Sequence, residues 1–119
     1  MKLSVEIFKS TEHGPASRDY AFRDEIRDAA DSAQRNVAEG FGRYSPPDFA
    51  RFLDFSRASA HETKALLKKG LAAGYWGPAE HARLDALANR GLQAVARFQR
   101  YLRSPAAKRN AARRYRGER

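Results

Sequence analysis

The densest chemistry in this chain of 119 residues gathers near its C-terminal end. Residues 97–119 hold nine basic side chains and a single acidic one, Glu118, whereas residues 1–96 hold 14 basic and 13 acidic. The formal net charge of +9 is therefore almost entirely local. Of the 23 basic residues 17 are Arg. A planar guanidinium grips a phosphate or carboxylate through paired bonds, where an ammonium acts as a point charge. Arg97, Arg100, Arg103, Lys108, Arg109, Arg113, Arg114 and Arg116 are thus the candidates for phosphate contact, with Tyr115 available to stack on a base. The partner such a cluster calls for is a polyanion: nucleic acid, an acidic membrane surface or an acidic protein.

Other reactive residue types do not assemble into a set. His13, His61 and His81 lie in separate segments without HxxxH or HExxH spacing, which argues against a metal site. Ser59 and His61 are two apart, so on a helix they point in different directions and cannot act as a nucleophile and its base. Gly40-Phe41-Gly42-Arg43-Tyr44-Ser45 has the look of a phosphate-binding glycine loop, but it follows a helical pattern and lacks a Gly-Lys-Ser/Thr ending. It reads as an interhelical turn with Arg43 exposed near a helix start. Asp24, Asp28 and Asp31 form an acidic stripe, a solvated or interface face and not a Mg²⁺ site. The absence of cysteine excludes thiol nucleophiles, disulfides and Cys-containing zinc sites. No enzyme, cofactor or metal is expected.

The elements that must position the basic cluster are helical. Twenty-two alanines and an apolar rhythm near 3.6 residues predict an all-α protein. A short first helix is expected over Leu3–Glu12, stopped by His13-Gly14-Pro15. A second starts at a Ser17 cap, carries the stripe Phe22, Ile26, Ala29, Ala30, Ala33 and Val37, and ends at Gly40 and Gly42 in a left-handed conformation. A third opens on Ser45, Pro46 and Asp48, with the stripe Phe49, Phe52, Leu53, Ser56, Ser59, Ala60, Thr63, Leu66 and Leu67, and stops before Gly74. A fourth runs from Pro78 to about Pro105. Long helices joined by short connections predict an antiparallel up-down bundle over residues 1–103. Residues 104–119 form a basic tail, expected to fray in solution because like charges repel and no apolar stripe is present. A turn near Tyr44 sets the register, bringing Asn36 near Leu53 and Arg27 near Glu62, for which an ion pair is expected. Glu6 and Lys9 interrupt the N-terminal apolar run, and the longest uncharged stretch, residues 70–79, cannot cross a bilayer. A cytoplasmic protein without membrane contact is expected.

The segment from Ala29 to Arg43, AADSAQRNVAEGFGR, resembles the A-x-x-S-x-x-x-N-I-A-E-G-x-x-R signature of a bacterial four-helix-bundle family. That family is known from proteins encoded in intervening sequences of 23S ribosomal RNA genes. Phe49, Arg51-Phe52-Leu53, Ser59, Glu62 and Gly74-Tyr75 continue the match, which covers roughly residues 20–103. The resemblance implies a four-helix bundle assembling as a ring-like homopentamer. The family includes the accessory variability determinant of diversity-generating retroelements, a basic pentameric barrel that binds nucleic acid and its reverse transcriptase. Ser32, Asn36, Glu39, Gly40, Arg43 and Glu62 occupy signature positions. Their chemistry suits helix packing and turn fixation: Asn36 bonding free terminal carbonyls, Glu39 reaching Arg43 or a backbone N–H. Val37 stands for the usual Ile, Glu25 and Asp28 replace Gln and a basic residue, Ala58 replaces Gly, and the first helix is short. Either that helix is truncated or a neighbouring subunit covers the groove beside it.

The leading expectation is an oligomeric nucleic-acid-binding scaffold. Five copies of the C-terminal segment would bring about 40 positive charges to one rim and bind RNA or DNA in a salt-dependent way. In the retroelement version this surface would position template RNA for a reverse transcriptase. The alternative is a protein-interaction or structural module of the intervening-sequence type, whose arginines dock on an acidic partner.

Overall fold

The computed structural model describes residues 2–43 and 45–115, with side chains up to residue 110. Among them every regular element is a helix: α1 Lys2–Ser10, α2 Pro15–Arg18, α3 Tyr20–Phe41, α4 Pro46–Ala72, α5 Pro78–Leu102 and α6 Pro105–Tyr115. Together they form an all-helical bundle extending 54 × 21 × 18 Å.

The N-terminal third departs from expectation in its capping. Pro15 starts a single helical turn by itself, since its fixed φ suits the first helical position. Ser17 falls inside that turn, its hydroxyl donating to the Gly14 carbonyl at 2.6 Å, so it cannot cap the next helix. Asp19 does so instead, its carboxylate accepting the Phe22 N–H at 3.2 Å. The far end of α3 differs too. Gly42 closes it with a right-handed φ of −78°, its N–H bonding the Glu39 carbonyl and the Arg43 N–H that of Gly40, both at 3.1 Å. Left-handed glycine geometry is not what ends this helix. Gly40 matters for another reason: a Cβ there would lie 2.8 Å from the Phe49 ring, so only a hydrogen lets α3 and α4 approach this closely.

The α3–α4 seam is built from small residues, as the facing stripes predict. Ser56 donates to the Ala33 carbonyl at 2.6 Å and the Ser32 and Ser59 hydroxyls share a bond of 2.8 Å. Numbers that rise along α3 fall along α4. Across the α4–α5 seam, Lys64 donates to Asn89 at 2.6 Å and Gln99 to Asp54 at 2.8 Å. Helix α1 lies over α3 and the first half of α5, burying Leu3 and Ile7. The core gathers these with Phe22, Ile26, Ala30, Leu67, Leu84 and Ala88. Trp76 closes one end by lying against Gly70, where a Cβ would meet its ring at 2.2 Å, while its Nε1 donates to the Leu67 carbonyl at 3.0 Å.

Arg27 does not pair with Glu62. Its Nε donates to Thr11 Oγ1 at 2.8 Å, Nη2 to the Phe8 carbonyl at 3.4 Å, and the guanidinium lies 4.0 Å from the Phe8 ring centroid. Glu62 is exposed and has no ion-pair partner among the described residues. The register reading gave the height along the bundle correctly, but around the helix Arg27 faces α1, not α4.

In the C-terminal segment, residues Pro105–Tyr115 are helical. Ser104 accepts the Ala107 N–H on its hydroxyl and the Lys108 N–H on its carbonyl, both at 3.3 Å, and Pro105 takes the first helical position. Ala107 is buried and Asn110 donates to the Tyr101 hydroxyl at 2.9 Å. The cap, the proline start and the alanines are the local features that favour helix here.

Candidate nucleic-acid interface

Three pieces of chain converge at one end of the bundle: the α3–α4 turn, the last turns of α5, and α6. Aromatic rings tie the first two together. Phe41 packs edge-on against Phe49 at 5.0 Å and Phe98 at 5.2 Å between centroids. Helix α6 folds back beside the start of α4, leaving an open cleft of about 550 Å³ lined by residues including Pro46, Pro47, Ala50, Leu102, Arg103 and Lys108.

Arg97, Arg100, Arg103, Lys108 and Arg109 are all exposed at this end. Arg97, Arg100 and Tyr101 share the face of α5 turned away from Val95 and Gln99, which are buried. Arg100 and Arg103 close the C-terminal turn of α5, where the helix dipole favours a cation by about 0.3–1 kcal/mol. Among the described residues none of the five has a carboxylate within 4.0 Å. The arginines nearby on α3 and α4 differ. Arg43 meets Glu39 at 3.7 Å, Arg51 meets Asp48 at 3.8 Å and Arg57 meets Asp54 at 3.5 Å. The structure thus separates arginines with a carboxylate nearby from a group with none among the described residues. Arg113, Arg114 and Tyr115 continue the backbone of α6, but their side chains lie outside the described residues, as does Arg116 altogether.

The signature residues lie along the α3–α4 seam and act there as structure. Ser32 bonds Ser59, and Gly40 admits Phe49. Asn36 donates to the Ser32 carbonyl at 2.8 Å and to its hydroxyl at 3.2 Å. That carbonyl is one turn back inside the helix, so Asn36 does not serve the free carbonyls at the terminus. Glu39 does reach Arg43, whose guanidinium also sits 4.8 Å from the Phe52 ring centroid. Glu62 stands apart, exposed on α4.

Sequence reasoning missed the exposed aromatic rings that border the cationic group: Phe41 at 54%, Phe55 at 49% and Tyr101 at 47% exposure. A bulky ring between two glycines in a turn, as at Phe41, is the one signal that pointed there. It also missed the cleft, whose walls come from segments some 50 residues apart.

Shifted titrations fall at the opposite end. Arg83 on α5 donates to Glu6 on α1 at 2.5 Å and to Glu80 at 2.6 Å, holding both carboxyls below their ordinary range. Tyr75 donates to Asp19, which lowers the carboxyl and raises the phenol. Both sets clasp helices together; they mark stability, not chemistry. His13 and His61 are exposed, while His81 keeps a buried Nε2 without a hydrogen-bond partner among the described residues. No group of three or more His, Asp or Glu among the described residues could hold a metal ion, and no described helix is long and apolar enough to cross a membrane.

A family model described as 23S rRNA-intervening sequence protein matches residues 1–96. The match spans the body of the bundle and stops just before Arg97. No curated protein and no solved structure matches the chain.

Proposed function

The chain belongs to the 23S rRNA-intervening sequence protein family, and from that premise we propose that it is a non-catalytic, oligomeric nucleic-acid-binding scaffold. In this reading the helices form an antiparallel up-down four-helix bundle, α1 being the short member, and five copies close into a ring. The observation that carries it is the set of five exposed cations at one end, with no carboxylate partner among the described residues. Each phosphate that such a cation neutralises sheds its condensed counterions, and that release drives binding that is strong at low salt and largely blind to sequence. Copying the cluster around a ring multiplies the effect through effective concentration. In a retroelement setting the same rim would hold template RNA for a reverse transcriptase.

The test is fluorescence anisotropy of labelled RNA across a salt series, on the whole chain and on one lacking residues 104–119. Affinity is expected to fall steeply with salt and to weaken on truncation. Affinity that ignores both overturns the reading. A second reading, a protein-interaction module of the intervening-sequence type, is favoured by one feature: the exposed Asp24, Asp28 and Asp31 stripe offers a neighbouring arginine cluster an acidic surface. Association with an acidic protein, and none with RNA, would select it.

A further inference from the structure

The cationic group borders a cleft whose chemistry is not merely cationic. Its lining combines the apolar Pro46, Pro47, Ala50 and Leu102, the polar Asp54 and Gln99, and the cations Arg103 and Lys108. The volume of about 550 Å³ lies within the range of small-molecule sites. Gln99 is 8% exposed, so its amide orientation is constrained by its surroundings. Its Nε2 donates to Asp54 Oδ1 at 2.8 Å, the only sense possible because a carboxylate accepts and does not donate. Arg57 also touches Oδ1, at the long distance of 3.5 Å and on an exposed surface, where such a pair contributes little. Asp54 Oδ2 and Gln99 Oε1 accept no hydrogen bond from any described residue.

We infer that this cleft receives one unstacked nucleobase of a single strand and that it prefers guanine. This rests on the nucleic-acid reading above and adds a base-reading element to a grip otherwise blind to sequence. Asp54 offers acceptors only, while Gln99 adds its Oε1 as an acceptor and the second hydrogen of its Nε2 as a donor. Guanine presents two adjacent donors, N1–H and the N2 amine, on its Watson–Crick edge, which a carboxylate accepts side by side. Uracil presents a single N–H between two carbonyl oxygens, which the carboxylate repels. Proline and leucine walls cover the base faces, and Arg103 and Lys108 stand where the flanking phosphates would pass. Single strands are read in this way, by splayed bases lodged in pockets beside a cationic track.

The experiment compares the full chain binding three labelled hexamers at one salt concentration: all-uridine, the same strand with one guanosine, and the same strand with one inosine, which lacks the N2 amine. The guanosine strand is expected to bind about tenfold more tightly than all-uridine, the scale of one good bidentate contact, with inosine losing most of that gain. Asp54→Asn, an exposed and nearly isosteric change checked for folding by circular dichroism, should abolish the difference between the guanosine and all-uridine strands. Equal affinity for the three strands with a steep salt dependence overturns the base pocket and leaves the scaffold reading standing. A preference that survives Asp54→Asn also overturns it. Absence of binding to any strand overturns both.

Discussion

Single atoms decide how the seams of this bundle close, and glycine is where they show it. Gly70 and Gly91 are both helical, and alanine in place of glycine gains about 1 kcal/mol of helix propensity at an unobstructed site. At Gly70 the new Cβ would sit 2.2 Å from the Trp76 ring, and forcing a packed indole aside costs about 1–3 kcal/mol. Gly70→Ala should therefore lower stability, and the emission of Trp76 should shift to the red as its ring is displaced. At Gly91 nothing lies within 4 Å of the added carbon, so Gly91→Ala should raise stability by about 0.5–1 kcal/mol in chemical denaturation. A fall instead would mean that another chain covers that surface. Thr11 is fully buried and accepts the Arg27 Nε–H while donating to the Ile7 carbonyl. Thr11→Val should cost about 1–2 kcal/mol, because the half-buried guanidinium loses its acceptor.

Helices dock here through side-chain clasps as much as through apolar stripes. The Arg83 clasp joins α1 to α5, and its two carboxylates make it sensitive to acid. Glu6 and Glu80 titrate below the ordinary 4.5 in the fold and return to it on unfolding. The stability they contribute is complete above about that pH and is lost as pH falls through their lower folded values. Melting temperature should therefore drop below about pH 4.5, and Arg83→Gln should flatten that acid limb while lowering the plateau above it. The stripes of α3 and α4, the proline starts of α4 and α5 and the Pro105 stop were legible in the sequence because each rests on local spacing or local backbone chemistry. Arg27 was misplaced because its partners, Phe8 and Thr11, are brought in by α1, and height along a helix says nothing of angle around it. Ser17 lost its capping role to Asp19 because Pro15 nucleates a separate turn that holds Ser17 inside it. The basic residues were legible as composition. The distinction between paired and unpaired arginines was not, since it depends on which carboxylates fold within 4 Å.

The whole molecule is a rod whose two ends differ in kind. One is locked by Trp76, Asp19–Tyr75 and the Arg83 clasp. The other presents exposed aromatic rings and cations without carboxylate partners among the described residues. Five copies would place these cationic ends together, and light scattering should then return five chain masses; a monomer would remove the multiplied charge. Each phosphate neutralised on a single strand contributes about −0.7 to the slope of log affinity against log salt. The most direct measurement is that slope for labelled single-stranded RNA with the whole chain and with Arg97→Gln/Arg100→Gln/Arg103→Gln. Those three residues are exposed, so the fold should persist. The slope is expected to shrink in magnitude by at least about two in the variant, with affinity falling in parallel at low salt. An unchanged slope and affinity would show that the cationic end of the rod does not carry nucleic-acid binding.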